Sequence, residues 1–129
     1  MIFGKFTKKY GKKPSLLYLT FAKIKLEMII YNVTVSIDVE VSEEWLAWMQ
    51  NEHIPEVMAT GKFLECRMSR ILAEEEGGKA YSIQYACKDM ETLDRYQREE
   101  APLLKQKHND RFGKHAVAFR TLLDVVFTH

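Results

Sequence analysis

The sequence is poor in cysteine, because its 129 residues include only Cys66 and Cys87. Small secreted proteins that depend on a disulfide framework carry roughly four to eight cysteines, so this class is excluded. Both positions suit buried residues of strands, and thiols stay reduced in the cytoplasm. We therefore predict two free thiols and a cytoplasmic protein.

Long hydrophobic runs are also missing. The apolar patch of the N-terminal segment, Leu16–Ala22, ends at Lys23, whereas a membrane-spanning helix needs about 18 apolar residues. The patch is not followed by a small-x-small cleavage site, which a secretory signal peptide requires. We predict that the protein has no membrane partner.

Positive charge is scarce in the part of the chain that has a fold pattern. Residues 1–27 contain seven lysines and one glutamate, whereas residues 28–129 contain 12 basic and 17 acidic side chains. A negatively charged domain repels phosphate backbones, so nucleic acid is not an expected partner. Because a clear strand pattern starts directly after Met28, we predict that translation starts there; the alternative is a disordered or partly helical basic tail. The predicted division is an N-terminal extension of residues 1–27, outside the fold, and a domain of residues 28–127.

Motifs for cofactors and metals are absent as well. Gly77–Gly78 fits a hairpin turn and not a glycine-rich phosphate loop. No histidines have the paired spacing of metal ligands, and no thiol has a histidine beside it in the sequence. The sequence therefore indicates no metal and no particular cofactor, and it leaves haem as an option that no motif supports.

Periodicity divides the domain into six elements. Apolar and polar side chains alternate over residues 29–39, which is typical of a half-buried strand. The remaining patterns predict a helix over 42–61, a hairpin of 63–74 and 79–88, a helix over 89–113 and a strand over 115–127. The order β-α-β-β-α-β predicts an α+β fold, a ferredoxin-like sandwich in which two helices cover one face of a four-stranded antiparallel sheet.

Helix ends and strand pairing follow from local residues. Ser42 and Asp89 are the predicted N-caps, and Gly61 and Gly113 are the predicted ends. A hairpin turn centred near Glu76–Gly77 brings opposite charges together across the strands. It predicts three pairs: Glu65 with Lys88, Glu74 with Lys79, and Cys66 with Cys87.

The face of the sheet that no helix covers is predicted to mix polar and apolar side chains. Asn32, Thr34 and Gln84 share it with apolar residues such as Ile30. Apolar residues among polar ones invite burial, and exposed strand edges invite pairing. This favours a homodimer, in which two sheets close into an α/β barrel, over a solvated sheet.

Arg120, in the middle of the last strand, is placed on the same uncovered face, with Asp38 or an anionic ligand as its expected partner. The neighbouring Phe119 is then predicted to face the helices, together with Tyr31, Tyr81 and Tyr85. Ferredoxin-like RNA binders stack bases on aromatic residues of the uncovered face. That stacking platform is missing, which is a second argument against a nucleic-acid partner.

Two histidines are predicted to lie near breaks in the helices. Pro55 and Pro102 each remove a backbone hydrogen bond, so each helix must kink or restart there. His53 shares the sheet-facing stripe with Leu46, Met49 and Val57, and His108 lies on the corresponding stripe of the second helix. The two imidazoles either line a pocket, as acid–base groups or axial ligands, or fill space and bind the carbonyls that the prolines free.

Four ordered motifs, WLAWMQNEHIPEVMATGKF, YSIQY, APLLKQKH followed by RFG, and FRTLL, resemble the small uncharacterised family DUF4286, seen mostly in Bacteroidetes. The likeness runs from Met28 to about Val126. It implies membership of the dimeric α/β-barrel group, which includes haem-degrading and quinone-forming monooxygenases, small-molecule cyclases and stress-response proteins. Fold does not fix function in such a group, so no activity or residue role is carried over.

The hypothesis drawn from these patterns is a homodimeric α/β-barrel protein that binds a small apolar or aromatic molecule between sheet and helices. A monooxygenase-like reaction is one option within it, and the alternative is a non-catalytic structural or regulatory dimer. No catalytic residue is assigned. The candidate pocket residues are His53, Tyr81, Gln84, Tyr85, His108 and Arg120, with His53 as the polar handle.

Overall fold

The computed structural model describes residues 27–73 and 76–129. Four strands form one antiparallel sheet in the order β2-β3-β1-β4, where β1 is Ile29–Asp38, β2 is Glu65–Arg70, β3 is Gly78–Cys87 and β4 is Ala116–Asp124. The helices are α1 (Ser42–Trp48), α2 (Ile54–Ala59), α3 (Met90–Glu99) and α4 (Ala101–Phe112). This arrangement confirms the predicted ferredoxin-like α+β fold. The N-terminal extension up to residue 26, and Glu74 of the hairpin, lie outside the described residues.

The core lies between the sheet and the helices. β1 is an inner strand that pairs with β3 on one side and β4 on the other. Its Tyr31, Val35 and Ile37 are buried, as the alternation predicts. Full burial of one such side chain contributes about 1.5–3 kcal/mol. The helices and connections supply the opposite half of the core with Trp45, Trp48, Met49, Val57, Phe63, Leu93, Tyr96, Leu104 and Phe112.

The hairpin register differs from the predicted one by two residues. Glu65 lies opposite Ala86, and Cys66 lies opposite Tyr85 instead of Cys87. An exposed cross-strand ion pair contributes at most about 1 kcal/mol, so the charge pattern could not fix the register. Because side chains alternate with a period of two, the slip leaves every residue on its predicted face. Both cysteines are free thiols, as predicted.

In the last strand, the side chains that face the helices are the ones predicted to lie on the uncovered face, and the reverse. Arg120 pairs with Val33 of β1 and therefore faces the helices, whereas Phe119 pairs with Thr34 on the uncovered face. Both sets of alternate residues in β4 include apolar side chains, so the alternation cannot identify the inner face. Asp38 is also not the partner of Arg120, because its carboxylate lies 3.1 Å from Nδ1 of His115.

The ends of the helices follow the predictions in three of four cases. Gly113 directly follows Phe112, the last residue of α4, as predicted. The side chain of Asp89 accepts a hydrogen bond of 2.8 Å from the backbone N–H of Thr92 and caps α3. Gly61 follows Thr60, the C-cap residue of α2, and has a positive φ of 73°, as is typical of a glycine in this position. Ser42, however, is not an N-cap. It is buried, and its hydroxyl donates to the carbonyl oxygen of Val39 in the preceding 3₁₀ turn, Val39–Val41.

The first helical segment restarts at Pro55 through a π turn. Residues Met49–His53 form this turn, and the N–H of Ile54 donates to the carbonyl of Met49, five residues earlier. Pro55 then lies in the first turn of α2, where its missing N–H has no partner to lose. The second segment is interrupted at Glu100, and Pro102 occupies the equivalent place in α4.

No helix of the described part of the chain is long and apolar enough to cross a membrane.

We expect Gly61→Ala to lower the free energy of unfolding by about 1–2 kcal/mol, because an L-residue resists a positive φ. A Cβ at this position would meet no atom within 4 Å, so the loss reports the backbone alone. Urea denaturation measures it. Gly61→Asn is the matched control and should cost less, since asparagine tolerates this conformation. Equal losses for the two variants would contradict the assignment.

Candidate functional site

A cavity of about 280 Å³ lies between the sheet and the helices. Its wall on the sheet side includes Val33, Val35 and Ile83, and its helix side includes Met49, Val57 and Leu104. Ligand pockets are typically about 300–1,000 Å³ and mostly apolar, so this cavity is near the lower limit of that range and suits a small molecule.

Small side chains on β4 leave this space open. Ala116 and Ala118 face the helices, opposite Ile37 and Val35 of β1, and both line the cavity. Protein interiors are normally packed to the density of organic crystals, so two methyl side chains in place of larger ones leave a void or a site. Arg120, two residues further along the strand, continues the same wall.

His53 forms the polar end of the π turn. Its ring stacks on Trp48 at 4.8 Å between centroids, and its Nδ1 is buried without a hydrogen-bond partner among the described residues. Burial lowers the pKa of His53 from its ordinary 6.5 to about 4, and the nearby His108 and Arg120 act in the same direction. The imidazole is therefore neutral at physiological pH, and it does not bind a carbonyl freed by Pro55.

His108 is held in a single tautomer. The indole N–H of Trp45 donates to Nε2 of His108 over 2.9 Å, so the proton of the neutral imidazole is on Nδ1. Burial lowers the pKa of His108, with a smaller contribution from Arg120, while a hydrogen bond to Asn109 raises it. The rings of His53 and His108 are 5.9 Å apart, so both predicted histidines line one cavity.

Tyrosines and Arg120 form the other wall. The Nε–H of Arg120 donates to the hydroxyl oxygen of Tyr31 over 3.0 Å. Tyr85 and Tyr96 also line the cavity, and each ring centroid lies 6.0 Å from that of Tyr31. Burial raises the pKa of Tyr85 and of Tyr96. Their hydroxyls therefore remain protonated and can donate hydrogen bonds.

The structure brings four of the six predicted site residues together: His53, Tyr85, His108 and Arg120. Tyr81 is buried under Trp45, at 5.1 Å between ring centroids, and does not line the cavity. Gln84 pairs with Asn32 on the uncovered face, so the sheet separates it from the cavity. Gln84 is the sequence neighbour of Tyr85, and neighbouring side chains of a strand point to opposite faces. The sequence therefore already indicated that Gln84 lies on the uncovered face when Tyr85 faces the helices.

Sequence reasoning missed Tyr96 and Lys105 as cavity residues. Tyr96 follows Leu93 at a spacing of three, and both are buried, so a stripe in α3 was the available signal. Lys105 follows the buried Leu104, and nothing in its neighbours distinguishes it from a surface lysine.

Among the described residues, one group of side chains could hold a metal ion, although the sequence indicated none. Ligand atoms of Asp38, Glu40 and His115 lie within 4.8 Å of one another at the end of β1. The three residues are half-buried or exposed, and none of them lines the cavity. In the cavity, Nε2 of His108 is occupied by Trp45, which leaves His53 as the imidazole able to bind a further group.

Comparison with known proteins identifies one family. The sequence pattern of a domain of unknown function, DUF4286, matches residues 28–126. No curated protein matches the chain.

Solved structures with the same fold share little sequence with this chain. A dimeric ferredoxin-like protein from an uncultured marine organism has a TM-score of 0.52 at 14% identity, covering 80% of this chain and 99% of its own. SnoaB of Streptomyces nogalater, a cofactor-independent oxygenase, has a TM-score of 0.58 at 9% identity, covering 78% and 95%. A candidate antibiotic biosynthesis monooxygenase from Bacillus cereus has a TM-score of 0.58 at 13% identity, covering 80% and 97%. Such likeness establishes the fold.

We predict that His53 stays neutral in the folded protein until the pH approaches 4. The unfolded chain takes up this proton near pH 6.5, so the folded state loses stability as the pH falls from 6.5 to about 4, and His53 causes no such loss above 6.5. NMR titration of the imidazole signals measures the pKa. In His53→Gln the free energy of unfolding should fall less steeply over this window.

His129→Gln makes the same exchange at an exposed position and is the control for the loss of an imidazole as such. A titration of His53 near its ordinary value would contradict the buried, unpartnered geometry.

Proposed function

The chain belongs to the DUF4286 family, a domain of unknown function, and on that premise we propose that it is a dimeric α/β-barrel protein that binds a small apolar or aromatic molecule in the cavity. The observation that carries the proposal is the buried Nδ1 of His53, which has no partner among the described residues. An unsatisfied buried polar atom costs about 1–3 kcal/mol. A bound molecule that hydrogen bonds to His53 would remove that cost.

The composition of the cavity supports a ligand of this kind. Aliphatic side chains and the rings of Tyr31, Tyr85 and Tyr96 supply apolar contact, and a few polar groups can fix the orientation. None of the described residues that line it is a serine, threonine, cysteine, aspartate or glutamate. These described residues therefore include none of the serine, threonine, cysteine or carboxylate nucleophiles that hydrolases use. Neutral His53 is available as an acid–base group.

Oxygenation of an aromatic molecule is the reaction to test first. Two structural neighbours are described as an oxygenase and as a candidate monooxygenase, and one of them needs no cofactor. In such a reaction molecular oxygen would be the co-reactant, and the protein would bind and orient the ring. The competing function is a non-catalytic structural or regulatory dimer, in which the cavity takes up no ligand.

A second copy of the chain is the proposed cover of the open sheet face. Phe119 and Val117 project from β4 on this face with 60% and 72% of their surfaces exposed. In the middle of the same face, the hydroxyl of Ser82 donates to Oδ1 of Asn32, and Nδ2 of Asn32 donates to Thr34. These polar groups satisfy one another, so covering them costs little. A structural neighbour described as dimeric shares the fold.

We also propose a cytoplasmic location.

We expect 2-naphthol, a small neutral aromatic probe, to bind the wild-type protein in isothermal titration calorimetry, and Ala118→Leu to abolish the signal by filling the cavity. Ala47→Leu is the matched control, because Ala47 is exposed on α1 away from the cavity. It should bind like the wild type. Native mass spectrometry of protein purified from its own host would show any retained molecule.

Binding that survives in Ala118→Leu would place the probe elsewhere. Absence of binding by 2-naphthol and by other aromatic probes, together with no retained molecule, would favour the non-catalytic dimer.

We expect Phe119→Lys to convert the dimer to a monomer, because it places a charge at the centre of the proposed apolar contact. Leu103→Lys is the matched control: Leu103 is 64% exposed, but it lies on α4. Analytical ultracentrifugation should show a dimer for the wild type and for Leu103→Lys. A monomeric wild type, or a dimer in both variants, would contradict this interface.

A further inference from the structure

We infer that the cavity selects an aromatic anion, a ring that carries a carboxylate or phenolate oxygen, and that Arg120 and Lys105 bind the charged group. This inference rests on the proposed ligand site and names the class of molecule that fills it. The observation behind it is the charge of the cavity lining, which among the described residues includes two cationic side chains and no carboxylate.

Neither cation of the cavity is neutralised by the protein. Among the described residues, no carboxylate lies within 4.0 Å of Arg120 or of Lys105. Cations on the outer side of the helices do have such partners, since Lys107 lies 2.7 Å from Glu56 and Arg111 lies 3.5 Å from Glu44. These two cations of the helix surface are therefore paired, whereas Arg120 and Lys105 have no counter-charge among the described residues of the cavity.

The donors of Arg120 are suited to a planar anion. Its Nε–H is bound to Tyr31, which fixes the guanidinium at the cavity wall. The two Nη groups remain, and a guanidinium can hold both oxygens of a carboxylate through parallel hydrogen bonds. Arg120 is partly solvent-exposed on the edge strand β4, so the anion would keep some contact with water and avoid the full cost of charge burial.

The directions of the pKa shifts of the neighbouring groups agree with a positive electrostatic potential in the cavity. The charge of Arg120 contributes to lowering the pKa of His53, of His108 and of Lys105, in each case after the larger effect of burial. The carboxylate of Glu56 acts on His53 in the opposite direction, and Lys107 in the same direction as Arg120. An anion beside Arg120 would reduce this potential.

The apolar part of the molecule has a defined place. Ala118 separates Arg120 from Ala116 along the inner face of β4, and these small side chains give a flat ring access to the space between Tyr31 and His53. A molecule with its charge at Arg120 and its ring over the alanines would reach toward the unpartnered Nδ1 of His53.

The test compares 2-naphthoate with 2-naphthamide, which has the same shape and no charge, by isothermal titration calorimetry on the full chain. We expect the carboxylate to bind about tenfold more tightly or better, because a charge-assisted hydrogen bond is roughly twice as strong as a neutral one. In Arg120→Gln, the affinity for 2-naphthoate should exceed that for 2-naphthamide by no more than about threefold. Lys105→Gln should also reduce this ratio of affinities.

Lys107→Gln is the matched control for charge removal, since Lys107 is on the same helix as Lys105 and does not line the cavity. It should keep the preference for the carboxylate. Arg120→Lys retains the positive charge but lacks the two parallel Nη donors of the guanidinium. It should therefore keep part of the preference for the carboxylate. Circular dichroism shows whether each variant folds.

Equal affinities for the two probes, both abolished in Ala118→Leu, would overturn the anion inference and leave the ligand site intact. An unchanged preference in Arg120→Gln and Lys105→Gln would also overturn it. If neither these probes nor 2-naphthol binds, the proposed ligand site fails together with the inference.

Discussion

The hydrogen bond from the indole of Trp45 to Nε2 of His108, a residue that lines the cavity, joins the first helical segment to the second. It is a contact between residues 63 positions apart, and it fixes one tautomer of His108. With His108 satisfied, Nδ1 of His53 is the imidazole nitrogen of the cavity that has no partner among the described residues. The hydrogen bond from Trp45 therefore decides that His108 is already bound within the protein and that His53 is available to a ligand.

Much of the fold was predictable because local physics decides it. The strict alternation of β1 fixes which residues enter the core, and Asp89 and Gly61 perform the roles that their chemistry suggests at helix ends. Two wrong predictions, the inward face of β4 and the register of the hairpin, arise where local signals are weak. In β4 both faces carry apolar residues. In the hairpin, the register was predicted from charge pairs, whereas the geometry of the turn, which the sequence does not specify, sets it.

The candidate site was predictable in part for the same reason. A histidine beside a helix-breaking proline is visible in the sequence, and so is the repetition of that pattern at His108. The void itself was not visible, because it depends on Ala116 and Ala118 facing inward, and the face of β4 was assigned in the opposite sense. The π turn at Met49–His53 was equally hidden, since a proline can be accommodated by a kink, a break or an added residue.

The position of β4 at the edge of the sheet has a further consequence. One side of this strand carries Ala118 and Arg120 into the cavity, and the other presents Phe119 to the proposed second copy. A ligand on the inner side would therefore contact the same nine-residue strand on which association depends. If this strand transmits an effect of the ligand, thermodynamic reciprocity requires that assembly of the pair changes the affinity of the cavity by the same factor.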